Sequence, residues 1–146
     1  MNEVASFFTP AQEQQIISAI QEVELKTVGE IRVHLEHHSP IPAIERAKEV
    51  FSEIGMDKTE HKTGVLIYVA VGSHLLAIVG DEEINDRIPD ADWVKHLQQL
   101  QNHFVNNDAA TGLITTINTI GDELATHFPS QKKNPNELSD DISKGS

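Results

Sequence analysis

Cysteine is absent from the 146-residue sequence, which excludes disulfide bonds, thiolate metal sites and cysteine nucleophiles. Long apolar segments are missing as well, since the longest continuous run, residues 65–71, is far too short to span a bilayer. The amino-terminal residues show neither the basic region nor the apolar stretch of a secretory signal. We therefore expect a cytoplasmic location and no membrane partner.

Basic residues are scarce, with 11 lysines and arginines against 23 aspartates and glutamates and a formal net charge of −12. Because nucleic-acid binding requires a basic surface, a nucleic-acid partner is not expected. Strong acidity can simply keep a protein soluble, so the positions of the acidic residues are more informative than their number. Hydrophobic residues make up 38% of the chain and cluster in blocks, which is typical of one globular domain.

The first part of the chain alternates between helical and extended patterns. Thr9, followed by Pro10 and Gln12, predicts the start of a helix with Thr9 as its N-cap. Residues 30–36 then alternate apolar and polar side chains, which indicates a half-buried strand. A short amphipathic helix is predicted over residues 43–54.

Two apolar segments, 65–71 and 75–79, are separated by a Gly72-Ser73 turn and predict a β-hairpin. An acid-rich polar segment and two further amphipathic helices follow. The predicted order is therefore α-β-α-β-β-α-α, with the first two strands parallel and the third antiparallel. Residues 1–129 form the predicted domain, and residues 130–146 lack any apolar period and are expected to be a flexible tail.

This strand order predicts that three ionisable residues meet at one edge of the sheet. The start of the first strand, the start of the second and the end of the third lie together in such a topology. Glu30, Lys62 and Asp81 stand at those three points. Two carboxylates that converge there predict a site for a hard divalent cation, Ca²⁺ or Mg²⁺, and Lys62 is a possible anion contact.

Residues 81–92 form the densest acidic segment, and a divalent cation would relieve the repulsion among their carboxylates. Its members are Asp81, Glu82, Glu83, Asp86, Asp90 and Asp92. Glu82 and Asp86 are candidate metal ligands, whereas Asp90 and Asp92 fit better at the start of the next helix, facing its dipole. The alternative for the segment is a solvated loop. Asp122, on the last helix, is a further candidate ligand if that helix returns to the same edge; otherwise it is simply exposed.

Several motifs in a fixed order resemble the TPM domain family over residues 9–129. They are Thr27-Val28-Gly29-Glu30-Ile31-Arg32-Val33, Ala47 to Phe51, Thr63 to Val69, His74 to Asp81, Ile84-Asn85, Trp93, Gly112-Leu113, Ile120-Gly121-Asp122-Glu123-Leu124 and His127-Phe128-Pro129. The resemblance implies an α/β sandwich with a small, Rossmann-like mixed sheet of at least three strands between helices. It also implies divalent-cation binding by acidic loops, in which Glu30 matches the acidic residue that opens strand one and Asp81 the one after the hairpin. Some plant members are described as acid phosphatases, and others act in photosystem repair.

Three functions remain open from the sequence. The first is a divalent-cation-binding interaction or regulatory module with a possible protein partner. The second is a metal-assisted acid phosphatase in which Lys62 holds the phosphate, although no recognisable motif identifies a nucleophile or a base. The third is a partner-binding fold in which the acidity is incidental.

Overall fold

The structure, a computed structural model, describes residues 3–130 and 142–145. Along these residues the elements are α1 (Glu3–Ser6), α2 (Pro10–Glu24), β1 (Glu30–Glu36), α3 (Ala43–Glu53), a 3-10 helix (Met56–Lys58), β2 (Gly64–Ala70), β3 (Leu75–Gly80), α4 (Glu82–Arg87), α5 (Asp90–Val105), α6 (Ala109–His127) and β4 (Ser143–Lys144). Each of these helices is too short or too polar to cross a membrane.

The four described strands form one mixed sheet in the order β3-β2-β1-β4. β1 pairs in parallel with β2 and with β4, whereas β2 and β3 form the antiparallel hairpin. In this register Glu30 lies opposite Gly64, and Val65 lies opposite Gly80. The predicted mixed α/β class and the predicted directions of the first three strands are confirmed.

Helices cover both faces of the sheet. Ile31, Val33 and Leu35 of β1 point into the larger apolar cluster, which α2, α4, α5 and α6 complete. Leu66 and Tyr68 of β2 point to the opposite face, where α3 and the 3-10 helix form a smaller cluster. The polar face of β1 is therefore also covered, and the prediction of a half-buried strand was wrong. Alternation alone does not reveal that α3 lies over the polar side of the strand.

The structure contains elements that the sequence patterns did not predict. α4 lies inside the acid-rich segment because Ile84 and Ile88 anchor it in the larger cluster. Within residues 130–146, where we expected a flexible tail, β4 pairs with His34 and Leu35 of β1. The rest of that expectation, over residues 131–141, lies outside the described residues.

Hydrogen bonds connect the end of α6 to the residues just before β1. The Thr27 hydroxyl donates hydrogen bonds to the carbonyl oxygens of Leu124 (3.1 Å) and Phe128 (2.5 Å), and the Val28 N–H donates to Phe128 (3.1 Å). Gly29 allows the close approach of α6, because a Cβ atom there would lie 3.0 Å from a Leu124 methyl group. These contacts fix the end of the sheet at which Glu30 begins β1.

Candidate functional site

The structure places Glu30 and Asp81 on either side of Gly64, where β1 and β2 begin and β3 ends. Glu30 is the register partner of Gly64, and the Asp81 N–H donates to the Gly64 carbonyl oxygen at 3.0 Å. Because both residues flank the same glycine, they belong to the same face of the sheet. The space over Gly64 is bounded by Met56 and Phe51, which a Cβ atom there would meet at 3.2 and 3.7 Å. We call this region the carboxylate edge.

The two carboxylate oxygens of Asp81 differ in their hydrogen bonding. Oδ1 accepts the Glu82 N–H at 2.7 Å, so Asp81 caps the start of α4. Oδ2 is buried and accepts no hydrogen bond from any described residue. A buried carboxylate oxygen without a donor is costly, so this atom requires a cation, a water molecule or a bound ligand.

Asp57, in the 3-10 helix next to Met56, provides a second such oxygen. Its Oδ2 accepts the Ser52 hydroxyl at 3.1 Å, whereas its buried Oδ1 finds no donor in the described part of the chain. Sequence reasoning missed Asp57 because no periodic pattern marks its segment. The available signal was Gly55, whose positive φ of 82° permits the turn that brings Met56 and Asp57 to the sheet.

Lys62 contacts this region, but through the backbone. Its ammonium group donates to the Asp57 carbonyl oxygen at 2.6 Å, and its own carbonyl oxygen accepts the Glu83 N–H at 3.2 Å. Lys62 thus links the 3-10 helix, through Asp57, to the start of α4, through Glu83.

The other predicted ligands have different surroundings. Glu30 is 5% exposed, and its N–H donates to the Thr63 carbonyl oxygen. Glu82, Asp86 and Asp122 are exposed on α4 and α6. Within residues 3–130 and 142–145, no three acidic or histidine side chains are arranged to hold a metal ion. The fold therefore places Glu30 and Asp81 beside Gly64, and Asp57 lies in the neighbouring 3-10 helix, without converging three ligands on a single point.

A second polar cluster, missed by sequence reasoning, lies at the opposite end of β1. The buried Glu36 carboxylate accepts hydrogen bonds from Arg46 Nε (3.1 and 3.0 Å), from Arg46 Nη2 (2.5 Å) and from the Tyr68 hydroxyl (2.6 Å). Burial by itself raises the pKa of Glu36, but hydrogen bonds from Arg46, Tyr68 and His34 outweigh it and lower the pKa to about 2. Burial and the bond to Glu36 raise the pKa of Tyr68 to about 12.

The Glu36 and Arg46 side chains of this cluster are extensively hydrogen-bonded. Arg46 also donates from Nη1 to Glu49 (3.0 Å) and Glu53 (2.9 Å), so each guanidinium nitrogen contacts a carboxylate. His34 lies 3.3 Å from Glu36, and burial lowers the pKa of its imidazole. Through Arg46 and Glu36 the cluster anchors α3 to the sheet, and His34 Nε2 is its one buried nitrogen without a hydrogen bond among the described residues.

A third cluster joins α5 to α6. The His96 imidazole forms a short hydrogen bond with Glu123, and Asp92 lies close to the same carboxylate. Burial raises the pKa of Glu123, and its contact with Asp92 acts in the same direction. Asp90 and Asp92 lie in the first turn of α5, where the sequence had placed them.

The fold and the carboxylate edge define a small α/β sandwich domain in which acidic side chains collect where the parallel strands begin. The family model of the TPM domain matches residues 1–123, so the chain belongs to the TPM domain family. No curated protein matches the chain.

Solved structures agree with this assignment. The BA42 protein of the psychrophilic bacterium Bizionia argentinensis is 41% identical, over 99% of this chain and 100% of that protein, with a TM-score of 0.91. The N-terminal domain of a P. gingivalis protein is 16% identical, over 87% and 84% of the two chains, with a TM-score of 0.70. The N-terminal domain of a Corynebacterium glutamicum protein is 12% identical, over 90% and 82%, with a TM-score of 0.66. The last two similarities show the fold alone.

Proposed function

We propose that this TPM domain binds a divalent cation, Ca²⁺ or Mg²⁺, at the carboxylate edge and acts as an interaction or regulatory module. The observation that carries the proposal is the buried Asp81 Oδ2, which has no hydrogen-bond donor among the described residues. Hard divalent cations take oxygen ligands, and a cation beside Asp81 would remove the cost of that oxygen.

The surroundings of Asp81 support the proposal. Asp57 offers a second buried oxygen without a described donor, and Glu30 is buried on the other side of Gly64. Because these groups do not converge, water molecules would complete the coordination shell, as is usual for Mg²⁺ and common for Ca²⁺. Glu82, Asp86 and Asp122 stay predictions as ligands, and from their exposed positions they would reach the ion after side-chain rotation or through water.

An NMR titration with residue-level readout tests the proposal. Amide spectra would be followed while CaCl₂ or MgCl₂ is added to the wild type, to Asp81→Asn and to Asp90→Asn. Asp90→Asn is the matched control, because it removes the same charge from an exposed residue of the same acidic segment. We expect saturable shifts around Asp81 and Asp57 in the wild type and the control, and a loss of saturation in Asp81→Asn. Weak, unsaturated shifts spread over all acidic residues in all three proteins would contradict the proposal.

A metal-assisted acid phosphatase is the second candidate. A cleft of about 410 Å³ beside the start of β1 favours it, because the cleft presents His61, Arg87 and His127 next to Glu83. These side chains, with Lys62 nearby in sequence, could hold a phosphate while the cation polarises it. Hydrolysis of p-nitrophenyl phosphate would be measured with and without Mg²⁺ in the wild type and in Asp81→Asn. Undiminished hydrolysis in the variant would argue against this candidate.

A further inference from the structure

We propose that the side of β1 next to His34 and Leu35 is a docking site for an extended peptide segment of a partner protein. The segment it fits carries an apolar residue, serine, a basic residue and glycine in succession. The chain's own residues 142–145 have this pattern and occupy the site in the structure. We call it the strand-docking site. The proposal does not depend on cation binding, which concerns the opposite end of β1.

The backbone of the segment is held by strand addition. Ser143 and Lys144 pair in parallel with His34 and Leu35, and the Gly145 N–H donates to the Leu35 carbonyl oxygen at 2.8 Å. Addition of a short strand to a sheet is a recurrent way of binding peptides, with main-chain bonds giving affinity and alternate side chains giving specificity.

Two side chains of the segment point towards α2. Ile142 is 8% exposed and belongs to the larger apolar cluster. The Lys144 ammonium group forms an ion pair with Glu13 of α2 at 2.7 Å. This face of the site therefore selects an apolar residue and, two positions later, a basic one.

The other two residues point towards the Glu36 cluster. The Ser143 hydroxyl lies 3.0 Å from His34 Nδ1, within hydrogen-bond distance. At Gly145 a Cβ atom would lie 2.8 Å from Glu36 Cγ and 3.1 Å from His34 Nε2. Glu36 cannot move away, because Arg46 and Tyr68 hold its carboxylate. This face therefore selects a hydroxyl group and then glycine.

The occupant in the structure is attached weakly enough to be exchanged. β4 has two residues, and residues 142–145 are held by the Gly145 main-chain bond, the Ser143–His34 contact, one buried side chain and one partly exposed ion pair. Such short, peripheral elements open at low free-energy cost. A tethered segment still competes as if it were present at roughly millimolar concentration, so the chain's own tail would gate access to partner segments.

Fluorescence anisotropy on the full-length protein tests the proposal. The probe is a labelled peptide, Asp-Ile-Ser-Lys-Gly-Ser, which copies residues 141–146. In the full-length Gly145→Val variant the tail cannot dock, so we expect the peptide to bind about tenfold or more tightly than to the wild type, because overpacking expels the tail. A peptide carrying Gly145→Val should not bind, and a scrambled peptide is the control. Equal binding of all three peptides, or equal affinity of both proteins, would overturn the proposal.

A charge exchange gives a second, independent readout. A peptide carrying Lys144→Glu should bind about fivefold more weakly, the upper end for an exposed ion pair. When Glu13→Lys is added to the Gly145→Val protein, the Lys144→Glu peptide should regain its affinity and the original peptide should bind more weakly. Absence of this reversal would contradict the assigned register.

If Gly145→Val lowers the unfolding temperature of the protein, the variant Lys144→Glu in the full chain is used in its place to release the tail. Dimers that form in the wild type with rising concentration, and are lost in Gly145→Val, would instead assign the site to the tail of a second copy and overturn the partner proposal.

Discussion

Replacement of Glu36 by glutamine removes one charge from the most heavily hydrogen-bonded carboxylate described in the domain, with little change in shape. Its pKa is lowered from 4.5 to about 2 in the folded protein. Since each pKa unit corresponds to about 1.4 kcal/mol, the charged form contributes about 3 kcal/mol to stability at neutral pH. We therefore expect Glu36→Gln to lower the free energy of unfolding by about 3 kcal/mol, in the range found when one partner of a buried ion pair is removed.

The sign of the pH dependence follows from the direction of this shift. Because the folded-state pKa is below the unfolded value, the unfolded chain binds more protons between pH 5 and pH 2. The contribution of Glu36 is thus complete above pH 5 and is lost as the pH falls towards 2. The cost of Glu36→Gln should be largest at neutral pH and approach zero at pH 2. His34, whose pKa is lowered from 6.5, also affects stability as the pH falls below that value, so the full cost is read at pH 7 and its loss on acidification from pH 5 downwards.

Urea unfolding followed by circular dichroism at pH 7, 5, 4 and 3 measures this prediction. Glu49→Gln is the matched control, since Glu49 bonds the same Arg46 but its side chain is 53% exposed. An exposed ion pair contributes about 0–1 kcal/mol, so the control should stay near the wild type at every pH. A cost below about 1 kcal/mol for Glu36→Gln, or a cost that does not shrink on acidification, would refute the reasoning.

Three other predictions concern single side chains. Tyr68 is the only tyrosine, so absorbance at 295 nm should show its hydroxyl titrating with a midpoint at about pH 12 in the native protein and at about pH 10 in urea. Stability should fall as the pH rises between these values, because the folded chain holds the proton more tightly. Gly121→Ala would overlap Val23 where α2 crosses α6 and should cost about 1–3 kcal/mol in urea unfolding, partly recovered by adding Val23→Ala. Thr9→Ala removes the Thr9 hydroxyl that accepts the Gln12 N–H in the α2 capping box and should cost about 1 kcal/mol by the same assay, whereas no change would contradict the cap.

The parts of the fold that could be predicted depend on local patterns and on handedness. The hairpin and the parallel pairing of β1 with β2 follow from two apolar segments, a glycine turn and one crossover helix. The meeting of Glu30 and Asp81 beside Gly64 is a consequence of that topology. It could be predicted because strand ends are fixed once the order and the directions are known.

The missed features depend on tertiary contacts. Ile84 and Ile88 hold α4 in the core, but acidic neighbours hide their helical spacing in the sequence. β4 has two residues, which is too short for any period to be visible. Asp57 reaches the carboxylate edge because of a turn at Gly55, and no pattern in its own segment indicates that position.

The two ends of β1 differ in the hydrogen bonding of their carboxylates. At the Glu36 end, Arg46 and Tyr68 supply short hydrogen bonds to a buried carboxylate, so adding a ligand would break existing bonds. At the carboxylate edge, Asp81 Oδ2 and Asp57 Oδ1 are buried without donors among the described residues. A water molecule or a cation would satisfy such oxygens. The acidic residues thus divide into Glu36, whose carboxylate holds α3 to the sheet, and Asp81, at which we propose that a cation binds.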